Sequence, residues 1–328
     1  MIPGLRRAGL VALRVAVVGA ALLFLLRGVA WTEVAAALRS TNVLLLFGVV
    51  AVNGCMMVVK ASRLRLFLEQ GPSFKSCFLA KLTTSAINNV VPFRGGDVAR
   101  VWMLERHARI PKSAAAAVAV VEAIFELISL AVVALVGALA LHRQRWAVGT
   151  ASILLGAVVV GMWSLKRMNR DRAVPLPDAP PTDGVLGRIR QFIRRFLARV
   201  EPGTRALRKP KTVAVGMALS VGDWVVEMAM VMLCARAIHL SIGPALAAVT
   251  LLGINLAIAL PSMPASAGAF ESGATLVLVL SGIPKGPAVA FALLYHVVQV
   301  IPVTLAGLAV VSRAGVTLDR LAAPQSAE

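Results

Sequence analysis

The sequence predicts an all-α polytopic membrane protein. Three observations support this prediction: the hydrophobic composition, the unequal charge balance and the long uncharged runs. The chain of 328 residues is 59% hydrophobic, with a mean hydropathy of +0.83, whereas a soluble domain is about 45–50% apolar. Only 15% of the residues are charged, yet the net charge is +19. Several uncharged runs reach the roughly 20 residues that a transmembrane helix needs. A nucleic-acid-binding protein is also basic but lacks such runs, so no nucleic-acid partner is expected.

Apolar windows predict about six full transmembrane helices, at 9–26, 43–59, 113–141, 147–165, 212–238 and 287–311. Two weaker windows, 76–91 and 245–281, are interrupted by Pro and Gly. They are predicted to form re-entrant helical hairpins, because irregular backbone at membrane depth needs protein or water around it. The first window follows Arg6 and Arg7 but no small-residue cleavage site follows it, so we expect a retained span rather than a signal peptide.

The distribution of Lys and Arg predicts the orientation of the chain. With a cytoplasmic N-terminus, the inside segments hold 26 of the 34 basic residues and the outside segments hold six. This bias follows the positive-inside rule. It predicts a bacterial-type inner membrane protein with both termini in the cytoplasm.

This orientation gives the two hairpins opposite topology. The hairpin at 76–91 enters from the cytoplasm, and the one at 245–281 enters from outside. The chain is therefore predicted to be one domain, 1–328, whose halves 1–165 and 212–328 form an inverted-topology repeat. A broken segment in each half of such a repeat is typical of the central site of a transporter.

The first broken segment contains a polar turn that ends one helix and begins another. Asn88, Asn89 and Pro92 end the first helix, Gly95 and Gly96 allow a tight turn, and Asp97 suits the first turn of the next helix. The second broken segment has a similar arrangement of Pro264, Gly268 and Glu271. We expect the helix N-termini after Gly96 and Gly268 to offer unpaired N–H groups to a phosphate, with Arg94 and Arg100 supplying bidentate charge.

Four carboxylates lie inside predicted spans, where each charge costs at least about 2.5–3.5 kcal/mol. Glu122 and Glu126 share one helix face because they are four residues apart, and Asp223 and Glu227 repeat that spacing. Together with Glu271 they are candidates to carry protons or to bind an amine. In the structural alternative, the carboxylates only hydrogen-bond polar neighbours and stabilise the bundle; those neighbours are Thr83, Thr84, Asn88, Asn89 and His296.

The middle loop, 166–211, is the one sizeable soluble segment. Within it, 185–200 has apolar residues at steps of three and four with arginines between them, a pattern that predicts a basic amphipathic helix on an anionic lipid surface. Simple positive-inside anchoring is the alternative. The three Cys and four His residues are scattered, so neither a metal site nor a cofactor is expected.

The run from Asn88 to Arg100 resembles the signature of the lysylphosphatidylglycerol synthase transmembrane, or flippase-like, family. Glu122 with Glu126 is similar to the next family motif, and Pro264, Gly268 and Glu271 match its late Pro-Gly-x-x-Glu element. The sequence departs from the pattern in having Ala123 where Arg is usual and Asp97 where Glu is commoner. Because the chain stops at Glu328 without the synthase domain of the namesake members, the resemblance implies the flippase half and no catalytic residue.

The sequence and the resemblance together predict a transporter or flippase that moves a lipid or lipid-linked head group between leaflets. One alternative is an intramembrane enzyme acting on a lipid phosphate, and another is a non-transporting scaffold for a lipid-modifying enzyme partner. The predicted substrate-binding residues are Asn88, Asn89, Pro92, Arg94, Gly95, Gly96, Asp97, Arg100, Glu122, Glu126, Pro264, Gly268 and Glu271. The secondary candidates are Asp223, Glu227 and His296.

Overall fold

The computed structural model describes residues 27–69, 71–90, 95–141, 145–170, 209–259 and 264–313, without the side chains of 158–170 and 264. Within these ranges every regular element is helical. The α-helices are α1 (Trp31–Arg39), α2 (Val43–Phe67), α3 (Phe74–Val90), α4 (Gly96–Ala108), α5 (Lys112–Leu141), α6 (Arg145–Arg170), α7 (Pro210–Ala237), α8 (Pro244–Ile258), α9 (Ala269–Leu280) and α10 (Lys285–Arg313). The predicted span 9–26, the predicted helix 185–200, Pro92 and Arg94 lie outside the described residues.

Four helices are long and apolar enough to cross a membrane, namely α2, α5, α7 and α10. Each covers one predicted window, and α6 covers the window at 147–165. The protein is therefore an all-α multi-pass membrane protein, as predicted. The predicted end of the second span was wrong, however, because α2 continues past residue 59 to Phe67. Lys60, Arg63 and Arg65 consequently belong to a helix rather than to a loop.

Local sequence signals explain where several helices begin. The side chain of Asn42 accepts hydrogen bonds from the backbone N–H groups of Leu44 and Leu45, at 3.0 and 3.3 Å, and so caps the start of α2. Pro210 and Pro244 stand in the first turns of α7 and α8, where a missing N–H costs nothing.

Each interrupted window contributes to a pair of packed helices, although the described part of 76–91 forms the single helix α3 rather than a hairpin. In the first, α3 packs against α4, and a Cβ on Gly96 would collide with the backbone of Thr84, so glycine allows this close approach. In the second, α8 packs against α9, and a Cβ on Gly273 would lie 2.6 Å from the carbonyl oxygen of Gly253. Their re-entrant placement and the inverted repeat remain predictions.

The C-terminal helix connects the two hairpins. α10 packs against α3 on one side and α9 on the other, and the 3-10 turn Pro264–Ser266 before α9 also contacts α3. Elsewhere α2 lies along α7, while α5 packs against α6 and α8. The break in the second hairpin therefore lies beside the first hairpin.

Pro302 interrupts the hydrogen bonding of α10. Proline has no N–H, so the carbonyl of Val298, four residues earlier, loses its helical donor. The buried side chain of Asn53, from α2, approaches this point. Its amide nitrogen lies 3.5 Å from the Val298 oxygen and 3.0 Å from the Gln299 oxygen. A polar residue in an apolar span thus compensates for a proline in a neighbouring one.

A small apolar core surrounds the charged residues described below. Its members come from α2, α3, α4 and α5 and include Leu64, Phe67, Val121 and Phe125. The rings of Phe67 and Phe125 meet edge to face with centroids 5.0 Å apart. These residues flank Arg63 on α2 and Glu122 on α5 along the chain, so the charges are enclosed by packed side chains.

Candidate functional site

Charged side chains from five helices meet inside the bundle. Four are cations and four are carboxylates, and we call them the ionic cluster: Lys60 and Arg63 of α2, Lys81 of α3, Arg100 of α4, Glu122 and Glu126 of α5, and Asp223 and Glu227 of α7. All except Lys60 and Glu126 are buried as residues. Because buried charges need partners, the arrangement of these eight residues determines what the site can bind.

Arg63 is at the centre of the cluster and has no exposed surface. Its guanidinium donates to the Ser220 hydroxyl at 3.0 Å and to a carboxylate oxygen of Glu126. It also lies 3.7 Å from Glu122 and 3.8 Å from Asp223. One cation therefore contacts three of the four carboxylates, and it holds α2, α5 and α7 together.

Glu122 forms a second centre, between the first hairpin and α5. One of its oxygens accepts from Lys81 at 2.8 Å and from Arg100 at 2.6 Å. Arg100 also pairs with the half-exposed Asp97 on its own helix, at 3.2 Å. Both helices of the first hairpin are thus bound to α5 through this single carboxylate. Arg100 is paired with two carboxylates, and its predicted contact with a phosphate stays a prediction.

The ionic cluster is incompletely paired on one side. Lys60 and Asp223 approach only to 3.8 Å, which is too long for a hydrogen bond. Among the described residues, the buried atoms without a hydrogen-bond partner include Nε of Arg63, Nε of Arg100, one oxygen of Glu122 and one oxygen of Asp223. The side chains of Lys60 and Glu126 are 25% and 39% exposed, so the cluster has an open edge. A polar group entering there would find both cationic and anionic partners.

Glu227 extends this polar region towards α10. Its carboxylate accepts from the side-chain amide of Gln299 at 3.0 Å. Gln299 is the residue whose carbonyl Asn53 binds. The hydrogen bonds therefore link α2, α7 and α10 at one level of the bundle.

One backbone N–H at each break is already bonded. The N–H of Gly96 donates to the Asn88 side chain at 2.9 Å, and that of Gly268 donates to Glu271 at 2.7 Å. That the N–H groups following these two glycines bind a phosphate stays a prediction. Asn89 reaches α10 instead, where its amide donates to the Thr304 hydroxyl at 2.8 Å. These bonds fix the two breaks in place.

Glu271 and His296 form a separate pair at the second break. A Glu271 oxygen lies 2.6 Å from Nδ1 of His296, and Nε2 of the same ring lies 2.9 Å from the carbonyl oxygen of Ala265. The ring of Phe270 stacks on the imidazole, with centroids 4.4 Å apart and planes 14° apart. This pair connects α9 and α10 to the 3-10 turn.

A family model for the transmembrane region of lysylphosphatidylglycerol synthases matches residues 11–307 of the chain. The chain belongs to this family. Comparison with curated proteins gave no match. Membership in the lysylphosphatidylglycerol synthase transmembrane family ties this membrane protein to the handling of lipids.

The family match fits the geometry despite one departure from the usual motif. Ala123 stands where Arg is common, yet Glu122 is still paired with cations, because Lys81 and Arg100 arrive from the first hairpin. The structural alternative named the wrong partners for Glu122 and Glu126, which pair with Lys and Arg rather than with Asn, Thr or His. Asp97 remains at the margin of the cluster.

Three functional candidates were missed from the sequence: Lys60, Arg63 and Lys81. The first two follow the apolar window 43–59 directly and resemble loop charges. Lys81 was noted only as lying within an apolar run. That position was the available signal, since a Lys buried in an apolar helix needs a carboxylate partner. The predicted residues that the structure describes fall into three groups. Arg100, Glu122, Glu126, Asp223 and Glu227 belong to the cluster; Asn88, Asn89, Gly95, Gly96 and Asp97 lie at the first break; and Pro264, Gly268, Glu271 and His296 lie at or beside the second break.

Proposed function

We propose that this protein moves a lipid with a charged or zwitterionic head group between the leaflets of a bacterial-type inner membrane, with both termini in the cytoplasm. The observation that carries the proposal is the open, incompletely paired edge of the ionic cluster. Charges inside an apolar bundle are costly and therefore mark substrate or ion pathways. Family membership points to lipids as the substrate class.

The chemistry of the open edge suits a head group that carries a phosphate. Lys60 presents positive charge at this edge and Glu126 presents negative charge, and the buried atoms behind them include Nε of Arg63 and one oxygen of Asp223, neither of which has a hydrogen-bond partner among the described residues. A phosphate oxygen entering between Lys60 and Asp223 would pair with the cations. An amine on the same head group would pair with Asp223 or Glu126. Charge-assisted hydrogen bonds to the phosphate and to the amine would replace the hydrogen bonds that the head group makes with water.

The helices around the cluster can guide a head group while the acyl chains stay in lipid. Both hairpins contact α10, and the inverted repeat would give the site equivalent approaches from the two leaflets. Basic residues at 185–200 would hold the middle loop on anionic lipid near the cytoplasmic entrance. Lipid-modifying enzymes are the partner class that such a loop would serve.

Lipid movement in reconstituted vesicles tests this proposal. Head-group-labelled lipids from a panel of anionic, zwitterionic and aminoacylated species are placed in both leaflets, and a membrane-impermeant quencher reports arrival outside. We expect the wild-type protein to move at least one lipid class. Lys60→Gln should slow this movement by roughly tenfold, the factor for one charge-assisted contact. Lys60 makes no short hydrogen bond whose loss would unfold the bundle.

Lys75→Gln is the matched control, since Lys75 is exposed on α3 and lies outside the ionic cluster. It should move lipid at the wild-type rate. If no lipid class moves in vesicles containing folded protein, the proposal is wrong. Mass spectrometry of the same lipids separates the enzyme alternative, which requires a chemically changed lipid, from transport, which requires an unchanged one.

A further inference from the structure

The hydrogen bonds around His296 determine where its protons are. A carbonyl oxygen only accepts, so the 2.9 Å contact to Ala265 requires a proton on Nε2 of His296. In the neutral ring with that tautomer, Nδ1 is an acceptor. Nδ1 lies 2.6 Å from a Glu271 oxygen, and this contact also needs a proton between the two atoms. The pair therefore carries one shared proton, either as carboxylate with imidazolium or as carboxylic acid with neutral imidazole.

The shared proton completes a ring of hydrogen bonds that joins Glu271, His296 and the turn 264–268. The other Glu271 oxygen accepts from the N–H of Gly268, so Glu271 joins the turn to His296 on both sides. Ala265 and Ser266 have φ of 55° and 58°, and Gly268 has 83°. Non-glycine residues seldom adopt such values, and they persist only where surrounding contacts hold them. The contact between the turn and α3 gives this ring a direct connection to the first hairpin.

No second ion pair to Glu271 or His296 is seen in the part of the chain that the structure describes. Glu271 is the one ionisable group on α9, and α8 has none. On α10, Tyr295 is buried beside His296, while Lys285 and Arg313 lie at the helix ends. The remaining ionisable groups on packed helices belong to other contacts or lie further along. They are Lys75, Cys77 and Lys81 on α3, Lys211, Asp223, Glu227, Cys234 and Arg236 on α7, Cys55, Lys60, Arg63 and Arg65 on α2, and Glu33 and Arg39 on α1.

We propose that Glu271 and His296 form the proton-binding site that couples this transporter to a proton gradient. This inference rests on the proposed function for its coupling to lipid, but the proton site itself does not. With the proton bound, the ring of contacts holds the turn 264–268 closed against α10 and α3. Loss of the proton leaves the imidazole with one N–H for two acceptors, so either the Glu271 oxygen at Nδ1 or the Ala265 oxygen at Nε2 faces a lone pair and is repelled.

The turn must then loosen, because in either tautomer one of the two contacts to His296 is lost, and the repulsion is relieved when that acceptor or the imidazole moves away. Movement of Glu271 breaks its bond to the Gly268 N–H, and rotation of the imidazole breaks the bond to Ala265. Either motion frees backbone that has positive φ values. In a proton-coupled cycle, one proton enters with closure of the turn and leaves with its opening, so one proton accompanies each change of state.

Amide hydrogen exchange measures the opening of the turn 264–268 independently of lipid movement. Exchange of the peptide covering 264–272 is measured by mass spectrometry in detergent-solubilised protein at several pH values between about pH 5 and pH 9. Dividing each wild-type rate by that of Glu271→Gln at the same pH removes the intrinsic pH dependence of exchange. A Gln side chain donates to Nδ1 and accepts from Gly268, so it imitates the protonated pair permanently.

We expect the wild-type turn to open with rising pH by roughly tenfold to hundredfold relative to Glu271→Gln, the factor for one charge-assisted hydrogen bond. His296→Gln should also lose the pH dependence, since its amide can hold the carboxylate without a titrating proton. It serves as the second variant if Glu271→Gln fails to fold. Glu105→Gln, on the surface of α4, should keep the wild-type profile.

Vesicles with an imposed pH gradient provide the second measurement. A gradient should accelerate lipid movement by the wild type and by Glu105→Gln, but not by Glu271→Gln. Equal exchange profiles for the wild type and both dyad variants would overturn the proton site, whether or not lipid moves. A pH-dependent turn in a protein that moves no lipid would support the proton site and contradict the proposed function.

Discussion

Replacement of Glu122 by Gln is the most direct test of how the ionic cluster stabilises the fold. Glu122 accepts from Lys81 and Arg100 through a single oxygen, and Arg63 lies 3.7 Å from the other. A neutral amide keeps the shape of the side chain but removes the charge that these cations share. Among the described residues, Lys81 would then be buried without an ion pair, and Arg100 would keep only its pair with Asp97.

The size of the effect follows from this loss. Breaking a buried ion pair by removing one partner destabilises a protein by about 3–5 kcal/mol, because the other charge stays buried. Since an amide oxygen still accepts one hydrogen bond, we expect Glu122→Gln to lower the free energy of unfolding by about 3 kcal/mol. Adding Lys81→Met should recover part of this loss, because the second change removes the uncompensated cation.

Unfolding by denaturing detergent, followed by circular dichroism, measures these free energies. Glu105→Gln is the control, since Glu105 pairs with Lys112 at 3.4 Å with both side chains largely exposed. Exposed pairs contribute about 0–1 kcal/mol, so this change should have little effect. If Glu122→Gln unfolds like the control, or if Lys81→Met makes the double variant less stable than Glu122→Gln alone, the cluster does not stabilise the bundle as argued.

Three further predictions concern the first hairpin and the topology. Gly96→Ala should destabilise the protein by about 1–3 kcal/mol through overpacking, whereas Gly54→Ala, with open space around its Cα, should be neutral or slightly stabilising in the same unfolding assay. Arg94→Ala should slow lipid movement in vesicles by roughly tenfold to hundredfold and Arg94→Lys by less; full activity of the Lys and Gln variants would remove Arg94 from the site. Cysteine labelling in oriented membranes should find the exposed positions within 63–75 and 167–211 on the same, cytoplasmic side, and labelling from opposite sides would contradict the inverted repeat.

The sequence predicted the helices well because their signals are local. Window hydropathy located the long spans, and the Asn, Pro and Gly residues at 88–96 predicted the break between α3 and α4. The spacing of Glu122 and Glu126 correctly placed both carboxylates on one face of α5. In each case the property depends on residues within a few turns of one helix, and such properties are readable from sequence.

The partners of these carboxylates depend on packing between distant segments, which a single sequence does not encode in any local pattern. Arg63 appeared to be a loop charge because hydropathy falls at residue 60, but packing along α7 extends α2 and buries the guanidinium. The same limitation applies to the N–H groups of Gly96 and Gly268. Their acceptors, Asn88 and Glu271, were recognised as candidate residues but not as caps.

Pro302 divides α10 into two segments that can move relative to each other. The part before Pro302 carries His296 and Gln299, and the part after it carries Thr304, which binds the first hairpin. A helix lacking one backbone hydrogen bond bends more easily at that point, so the two parts can tilt relative to each other. The hydrogen bond from Asn53 to the Gln299 carbonyl restrains this bending. We expect Asn53→Leu to make α10 more flexible at Pro302 and to raise the rate of amide hydrogen exchange at 298–303. Proton binding at His296, before Pro302, can thus move the second hairpin while Thr304, after Pro302, keeps its bond to the first hairpin. A single helix can therefore adopt two bend angles.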